Sequence, residues 1–390
     1  MIFTLEALKA ANGDSLILHY GDPADPRFIL IDGGPTKSGY REVILPRLTE
    51  IKGRFSQDVP LPLEMMMVSH IDDDHIDGLL ALTADMLDRA QDGDEAPFAI
   101  RSLWFNSFDD LLDNDDEEVF SALTAKVRAA GVDAPLPGFA QADRYGAAVV
   151  ASVGQGRRLR ADAAGLDIPI NAPFRGLVMV TDAADRRVDY GDGLRLTIVA
   201  PDERRIRALQ KKWTEEVRAS LSEETLADVA SAGGSRDTSV ANLSSIVVLA
   251  EAAGKRILLT GDALDVDIVD GLASAGLLDN GTCHVDVLKL PHHGSDRNVS
   301  AEFFAAVTAD HYVVSGDGRH GNPEMHTLEL LDASRGASDQ YQVHLTYRDG
   351  KEQLGERLDA FLDGKPAGRY RFRDNAARSL KVDLATVVDY

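Results

Sequence analysis

The chain is almost devoid of cysteine, because its 390 residues include only Cys283. A single thiol excludes an internal disulfide and a zinc site built from several thiolates. This scarcity fits a reducing compartment, where disulfides are rare. The Gly-x-Ser-x-Gly sequence that presents a serine nucleophile on a sharp turn is also missing. Catalysis by a Ser or Cys nucleophile is therefore not expected.

Long apolar runs are missing as well. No stretch approaches the run of about eighteen apolar residues that a transmembrane helix needs. The first residues, MIFTLEALKA, lack the basic start and the cleavage site of a signal peptide. We therefore expect a soluble, cytoplasmic protein with no membrane partner.

Basic residues are in deficit, since 41 Lys and Arg stand against 64 Asp and Glu, for a formal net charge of −23. So acidic a chain does not adhere broadly to nucleic acid or to anionic membranes. A polyanionic partner would have to be held by local basic patches. Hydrophobic residues make up 44% of the chain, which is ordinary globular usage and excludes wholesale disorder.

Short apolar runs alternate with helical patterns along the chain. The runs end in Gly, Pro, Asp or other polar residues and predict strands over SLILHY, FILID, LEMMMVSH, LRLTIVAP, SSIVVLAE, RILLTGD, VDVLKLPHH and HYVVSGD. Helical patterns follow His75 and Pro201, open at Asn298 and follow Pro323. The mixture predicts an α/β fold.

Two segments have the composition of insertions on this scaffold. Residues 107–175 begin with the acid-rich DDLLDNDDEE, and residues 202–237 end in the flexible SAGGSRD. We predict one domain over residues 1–340 that contains both insertions. Residues 341–390 are predicted to form a strand and helix extension that packs on this domain.

The segment 69–78 reads SHIDDDHIDG and follows an apolar strand. Residues two apart on an extended segment face the same way, so His70 and Asp72 can share one metal ion. Asp74 and His75 follow the turn and can reach a second ion beside the first. Imidazoles and carboxylates suit Zn²⁺, Mn²⁺ or Fe. The alternative is an Asp-rich helix cap that only satisfies backbone amides.

Histidine and aspartate also follow three other predicted strands. Asp262 ends RILLTGD, His292 and His293 end VDVLKLPHH, and His320 and His326 lie just beyond HYVVSGD. Six of the ten histidines thus fall in three clusters at strand ends. Because functional sites are commonly built in loops that a rigid scaffold positions, these residues are candidates for one shared metal site.

The order of these motifs resembles the metallo-β-lactamase superfamily of binuclear metallohydrolases. The matching motifs are IDGG at 31–34, HIDDDH at 70–75, LLTGD at 258–262 and PHHGS at 291–295. Asp72 stands where the commonest members have His. This substitution, with NGDS at 12–15 and GNPEMH at 321–326, resembles the ComEC-like branch. Its best-known members carry this domain fused to a competence membrane channel and are implicated in degrading one DNA strand.

The resemblance covers roughly residues 1–90 and 190–330. It implies an αββα sandwich, in which two mixed β-sheets are flanked by helices and the metals lie in a cleft at one edge. Carried over by motif, His70 and Asp72 would hold one metal ion. Asp74 and His75 would hold the other.

By the same resemblance Asp262 would bridge the two ions. His293 is favoured over His292 to complete the second ion, and the remaining His would be an acid–base or supporting group. Most of the superfamily has a further His where this chain has Asn242. Because a carboxamide is a poorer zinc ligand, the first ion would be held weakly. The expected cofactors are two divalent ions, Zn²⁺ or Mn²⁺, with the oxygen-rich ligands favouring Mn²⁺.

Two such cations lower the pKa of a water between them and stabilise charge on a phosphate or carbonyl oxygen. The catalytic candidates are then Asp74 and Asp262 as ligands and His292 as an acid–base group. His326, and less favourably His320, is a candidate for binding phosphate or protonating the leaving group. For His326 the alternative is a surface residue that starts a helix.

Further candidates for substrate binding are Arg157 and Arg158, which lie in the Gly-rich segment GQGRRLR. Arginine matches phosphate oxygens with two parallel hydrogen bonds, although a solvated helix start is the plainer interpretation. Ser295 and Asn322 are included because they lie in PHHGS and GNPEMH. Asp32 in LIDGG either orients neighbouring loops or is an ordinary turn carboxylate.

The sequence therefore predicts a binuclear metal-dependent hydrolase, with hydroxide attack on the phosphorus of a DNA phosphodiester as the first candidate reaction. Hydrolysis of a small phosphodiester, a lactone or a thioester is the alternative, favoured if the insertions wall a narrow pocket. A non-catalytic interaction module that retains the fold is the alternative from another class, with Asn242 as its support. The oligomeric state stays open, and a homodimer is compatible with the sequence.

Overall fold

The computed structural model describes residues 1–56, 58–107, 154–181, 186–207, 210, 240–336 and 339–390. Much of the two predicted insertions lies outside these ranges, so their limits and the limits of the predicted domain stay predictions. In the described ranges, no helix combines the length and the apolar character that crossing a membrane requires.

One sheet brings together strands from near both ends of the chain. In spatial order it contains β16 (Ser379–Asp383), β1 (Ile2–Leu8), β2 (Leu16–Asp22), β3 (Asp25–Ile31), β5 (Met65–Met67) and β7 (Leu103–Trp104). The strands from β16 to β3 are antiparallel, whereas β3, β5 and β7 are parallel, so the sheet is mixed. A separate parallel pair joins β4 (Leu61–Leu63) to β6 (Phe98–Ile100).

The second sheet is also mixed. In spatial order it contains β15 (Tyr370–Phe372), β14 (Gln342–Leu345), β13 (Val307–Val314), β12 (Cys283–Lys289), β11 (Lys255–Leu259), β10 (Val247–Ala252), β9 (Leu194–Ala200) and β8 (Arg187–Gly191). Its strands are parallel from β15 to β11 and antiparallel from β11 to β8.

The helices flank these sheets. They are α1 (Lys37–Gly39), α2 (Leu45–Phe55), α3 (Asp73–Asp92), α4 (Val240–Leu243), α5 (Asp265–Ser274), α6 (Ala301–Ala306), α7 (Met325–Ser334) and α8 (Leu354–Leu362). A π-helical turn, Tyr40–Ile44, joins α1 to α2. Residues 154–165 and 203–207 are helical as well.

Apolar side chains form three layers because successive residues of a strand face opposite sides of the sheet. Between the sheets, Leu18 and Ile29 share a core with Val248 and Ile257. A second cluster joins the other face of the first sheet to α2 and α3. A third joins the other face of the second sheet to α5, α6, α7 and α8. The predicted sandwich of two mixed sheets flanked by helices is therefore confirmed.

Each of the eight apolar runs named from the sequence contains a strand, which in LEMMMVSH is only Met65–Met67. The helices predicted after His75, Asn298 and Pro323 are α3, α6 and α7. The pattern after Pro201 is helical over 203–207, and most of its remainder lies outside the described residues. The C-terminal segment contributes to both sheets, since β14 and β15 extend one while β16 pairs with β1 in the other.

Candidate metal centre

Loops that follow β5, β11 and β12 meet at one edge of the sandwich. They carry the HIDDDH segment, Asp262 and the Pro291–Gly294 turn. The loops after β11 and β12 are joined by a backbone hydrogen bond from His292 N to Gly261 O at 3.1 Å, and Ile246 N, just before β10, donates to Ser69 O at 2.8 Å in the loop after β5. The sheets therefore hold the predicted ligand clusters side by side.

Four imidazoles surround the Asp262 carboxylate. The Nε2 atom of His75 lies 3.4 Å from its Oδ1, while the Nε2 atoms of His292, His70 and His293 lie 3.5, 3.7 and 3.8 Å from its Oδ2. Each carboxylate oxygen of Asp262 therefore faces at least one imidazole nitrogen.

The carboxylates of the HIDDDH loop divide between the imidazoles. Asp74 lies 3.5 Å from His293 Nε2 and 3.8 Å from His75 Nε2. Asp72 lies instead 3.8 Å from His70 Nε2. Asp14, His75, Asp262 and His293 can offer ligand atoms to one ion, as can His70, Asp74 and His75, so the pairing of each His with its Asp stays a prediction.

The far sides of His70 and His75 are anchored by hydrogen bonds. Asp32 Oδ2 lies 2.9 Å from His75 Nδ1 and also accepts from Ser69 Oγ, while Asp32 Oδ1 accepts from the Ser69 amide. Ser69 Oγ in turn lies 3.2 Å from His70 Nδ1. Asp32 is 1% exposed, and its contacts with Ser69 and His75 orient the HIDDDH loop. This agrees with the first of its two interpretations from the sequence.

His293 is anchored by a group that the sequence analysis left without a role. Its Nδ1 atom lies 3.1 Å from Ser315 Oγ, and Ser315 Oγ donates to Asp14 Oδ1. Asp14 Oδ2 lies 2.8 Å from the Lys289 ammonium, and both side chains are buried. The NGDS motif, noted only for its resemblance, thus supplies a buried carboxylate within reach of the centre.

His292 is fixed by an amide whose two ends have distinct partners. Asn298 Nδ2 donates to Asp262 O at 2.8 Å, so its Oδ1 faces His292 Nδ1, also at 2.8 Å. This arrangement places the hydrogen of His292 on Nδ1 and leaves Nε2 facing Asp262. Asn322 Nδ2 donates to the His292 carbonyl at 3.2 Å and braces the same turn.

In all four imidazoles the Nδ1 atom is held by a hydrogen-bonding partner on the side away from Asp262, while the Nε2 atom faces Asp262. The Nε2 atoms of His70, His75 and His293, with Asp262 Oδ1, are buried and make no hydrogen bond. Unsatisfied buried polar atoms are costly and need an explanation. Because imidazole nitrogens and carboxylate oxygens are ligands for divalent metals, the residues present fit a metal centre.

The buried imidazoles and carboxylates of the centre shift one another's pKa. Although burial opposes protonation, Asp262 and Asp32 raise the pKa of His75 well above its usual value, so a cation would have to displace that proton. Burial, reinforced by the neighbouring His75, lowers the pKa of His70 to about 3, which keeps its Nε2 lone pair available. Although burial opposes ionisation of Asp262, the surrounding imidazoles hold its pKa well below the usual range. Partial burial, together with the nearby Asp74, raises the pKa of Asp72. A divalent cation would displace the proton of Asp72 on binding.

The remaining candidates lie in several places. Asn242 is buried in α4, and Ser295 is buried beside the His292 turn. His326 is largely exposed on α7, 3.6 Å from Glu329, and His320 is exposed in the 319–321 turn. These contacts do not bring His320 or His326 to the Nε2 cluster, so their substrate roles, like the ligand role of Asn242, stay predictions.

Arg157 and Arg158 are exposed on the helical segment 154–165. Its neighbouring residue Gln155 donates to Asp73 at 2.6 Å and to Asp77 at 3.0 Å, at the start of α3. The segment therefore packs beside the HIDDDH loop. This location is compatible with the predicted substrate contacts of the two arginines, which stay predictions.

No family model matches the sequence, and no curated protein matches it. Among solved structures, a Parabacteroides distasonis protein assigned as a metal-dependent hydrolase is 10% identical, with 95% of this chain and 98% of that chain covered, at a TM-score of 0.31. Zn²⁺-bound PqqB from Methylobacterium extorquens is also 10% identical, with 98% of this chain and 100% of that chain covered, at a TM-score of 0.38. Such distant likeness carries no argument about chemistry, and the metal centre rests on the geometry of this chain alone.

Proposed function

We propose that this chain is a binuclear metal-dependent hydrolase of the metallo-β-lactamase superfamily, related to its ComEC-like branch. One observation carries the proposal: four anchored imidazoles direct Nε2 atoms at the two oxygens of one buried carboxylate. A set of satisfied core histidines would have both ring nitrogens hydrogen-bonded, and three of these four do not.

The ligands divide into two sets that share Asp262. His70 and Asp72 would hold one ion, and His75, Asp74 and His293 the other. Two divalent cations held there would lower the pKa of a water molecule between them and stabilise negative charge on a substrate oxygen. The chain's own contribution is to fix the Nε2 direction of each imidazole through its anchored Nδ1.

His292 is suited to proton transfer at the mouth of the centre. Its side chain is 25% exposed, whereas those of His70, His75 and His293 are at most 2% exposed. Because Asn298 fixes the hydrogen on Nδ1, the Nε2 atom of this partly exposed side chain can accept a proton and then return it to a leaving group. We assign His292 this role and His293 the role of ligand.

Phosphodiester hydrolysis is the reaction that we propose, with DNA as the first substrate to test. A small phosphodiester is the second candidate, favoured by the acidic residues Asp72, Asp73 and Asp74 at the start of α3. These carboxylates would repel the long polyanionic backbone of DNA more strongly than they would repel a single phosphodiester.

The test is cleavage by metal-stripped protein resupplied with Mn²⁺ or Zn²⁺. Labelled single- and double-stranded DNA and bis(p-nitrophenyl) phosphate would be assayed together, so that nuclease and small-substrate activity are separated. Asp262→Ala and His75→Ala, purified identically, should abolish cleavage and leave the far-ultraviolet circular dichroism unchanged. Metal-dependent cleavage that survives in both variants would come from a contaminant or another site and would contradict the proposal.

A further inference from the structure

Within the described ranges, three side chains of the centre are partly exposed, and they define what we call its mouth. The side chains of Asp72, Asp74 and His292 are 35%, 26% and 25% exposed, whereas those of the deeper ligands, Asp262 included, are at most 3% exposed. A substrate that enters at this mouth therefore passes two carboxylates. These carboxylates offset part of the positive charge that bound metals would supply, so an anionic substrate gains from a further cation at this mouth.

Arg319 stands at this mouth, connected to it through Asn12. Its Nη1 atom donates to Asn12 Oδ1 at 2.8 Å, and Asn12 Nδ2 donates to Asp74 Oδ2 at 3.5 Å. The amide thus holds the guanidinium two hydrogen bonds away from a proposed metal ligand. The side chain of Arg319 is 43% exposed, and its Nη2 atom lies 4.0 Å from Asp317 Oδ2.

The loop that carries Arg319 is braced from several sides. Gly318 has a φ of +94°, and a Cβ atom there would lie 2.2 Å from the Lys351 carbonyl oxygen, so only glycine fits. The Arg319 amide donates to Asp317 Oδ1 at 3.2 Å. Arg357 Nη1 donates to the carbonyl of Gly321 at 2.7 Å. A braced loop loses little conformational entropy when its arginine binds a ligand.

We propose that Arg319 binds a non-bridging oxygen of a substrate phosphate at the Asp74 side of the metal centre. The inference rests on the proposed function and specifies it, because it makes the substrate an anion. A guanidinium offers parallel N–H groups that match two phosphate oxygens, whereas a lysine offers a point charge. Asn12 acts as the positioning residue that turns the guanidinium towards the mouth.

The first measurement is calorimetric binding of inorganic phosphate to the metal-loaded protein and to Arg319→Met. Losing a hydrogen bond between charged groups should weaken phosphate binding by about tenfold or more. Arg319→Lys should recover part of the affinity. Lys351→Met, which removes an exposed cation from a neighbouring segment, is the matched control and should bind like the wild type.

The second measurement is hydrolysis of bis(p-nitrophenyl) phosphate. Arg319→Met should raise KM by about tenfold with a smaller change in kcat, at unchanged metal content. Equal phosphate affinity in wild type and Arg319→Met, no phosphate binding by the wild type, or loss of metal from the variant would each overturn the inference. If the wild type binds phosphate through Arg319 but hydrolyses no phosphodiester, the anion site stands and the proposed reaction fails.

Discussion

The ammonium of Lys289 lies 2.8 Å from Asp14 Oδ2, and both side chains are 1% exposed. Lys289 also donates to the carbonyl of Leu290 at 3.0 Å. Burial opposes ionisation of the Asp14 carboxyl, but the positive charge of Lys289 holds the pKa of Asp14 below its usual range. The pair thus places a compensated carboxylate behind His293, where it accepts a hydrogen bond from Ser315.

Replacing one partner of this buried pair should be strongly destabilising. Lys289→Met preserves side-chain length but leaves the Asp14 carboxylate without a counter-charge. We expect the free energy of unfolding of the metal-free protein to fall by about 3–5 kcal/mol. Urea unfolding followed by circular dichroism measures this difference.

The double variant Asp14→Asn with Lys289→Met is the control, because it removes both charges. It should be more stable than Lys289→Met alone, since no charge is left buried without a partner. The single variant Asp14→Asn completes the comparison. If the stability losses of Asp14→Asn and Lys289→Met add up to the loss of the double variant, the ion pair contributes no coupling energy and the prediction is wrong.

Asp32→Asn should weaken metal binding while the fold persists. The substitution keeps the shape of the side chain but removes the charge that holds the Nδ1 hydrogen of His75. Loss of such a supporting group typically costs 10–100-fold in metal affinity. Competition with a chromophoric chelator measures the change, and Asp25→Asn, at an exposed carboxylate, is the matched control. Equal weakening in both variants would contradict the role of Asp32.

Gly78→Ala should displace α3 and with it the HIDDDH loop. A Cβ atom at Gly78 would lie 1.9 Å from the carbonyl oxygen of Gly33, so one of the two backbones must move. In contrast, Gly53→Ala in α2 meets no atom within 4 Å and should stabilise the protein by about 0.5–1 kcal/mol. Unfolding and metal titrations of both variants test this contrast, and a neutral Gly78→Ala would contradict the close approach.

The buried network of Glu6 should make stability fall in acid. Although burial favours the protonated form, His19 and Arg47 hold the pKa of Glu6 at about 2, below its usual 4.5. On lowering the pH, Glu6 therefore binds a proton at a higher pH in the unfolded chain than in the folded chain. The contribution of Glu6 is fully present above a pH of about 4.5 and is lost as pH falls towards about 2.

Glu6→Gln should remove this part of the pH dependence. The difference in unfolding free energy between wild type and Glu6→Gln should shrink as the pH is lowered from about 6 to about 3. Urea unfolding at several pH values measures it, with Glu50→Gln, at a half-exposed carboxylate, as control. A difference independent of pH would contradict the depressed pKa.

The strands and the principal ligand candidates could be predicted from the sequence because their signals are local. Asp262 ends the apolar run RILLTGD just beyond β11, and the segment from His70 to His75 follows β5 closely. The strand β1 is not among the strands predicted from the sequence, although Phe3 and Leu5 alternate with polar residues. Thr4 and Glu6 are buried too, and their partners, Asp383 and Arg47, lie far along the chain.

The supporting groups could not be predicted, because their partners lie far away along the chain. Lys289 follows an apolar run in LKLP, and nothing in that segment indicates that its ammonium meets Asp14. The contact between Asn12 and Arg319 likewise joins opposite ends of the chain. Such pairs exist only once the two sheets have packed, whereas His320 and His326 showed a local signal without a contact to the Nε2 cluster.

The central claim, a centre for two metal ions organised by Asp262, is tested most directly by metal content. Protein stripped with a chelator and reloaded with Zn²⁺ or Mn²⁺ would be measured by elemental analysis and titration calorimetry. We predict two ions per chain in the wild type and no more than one in Asp262→Ala, with unchanged circular dichroism. A wild type that binds no divalent ion, or an Asp262→Ala variant that keeps both, would contradict the account.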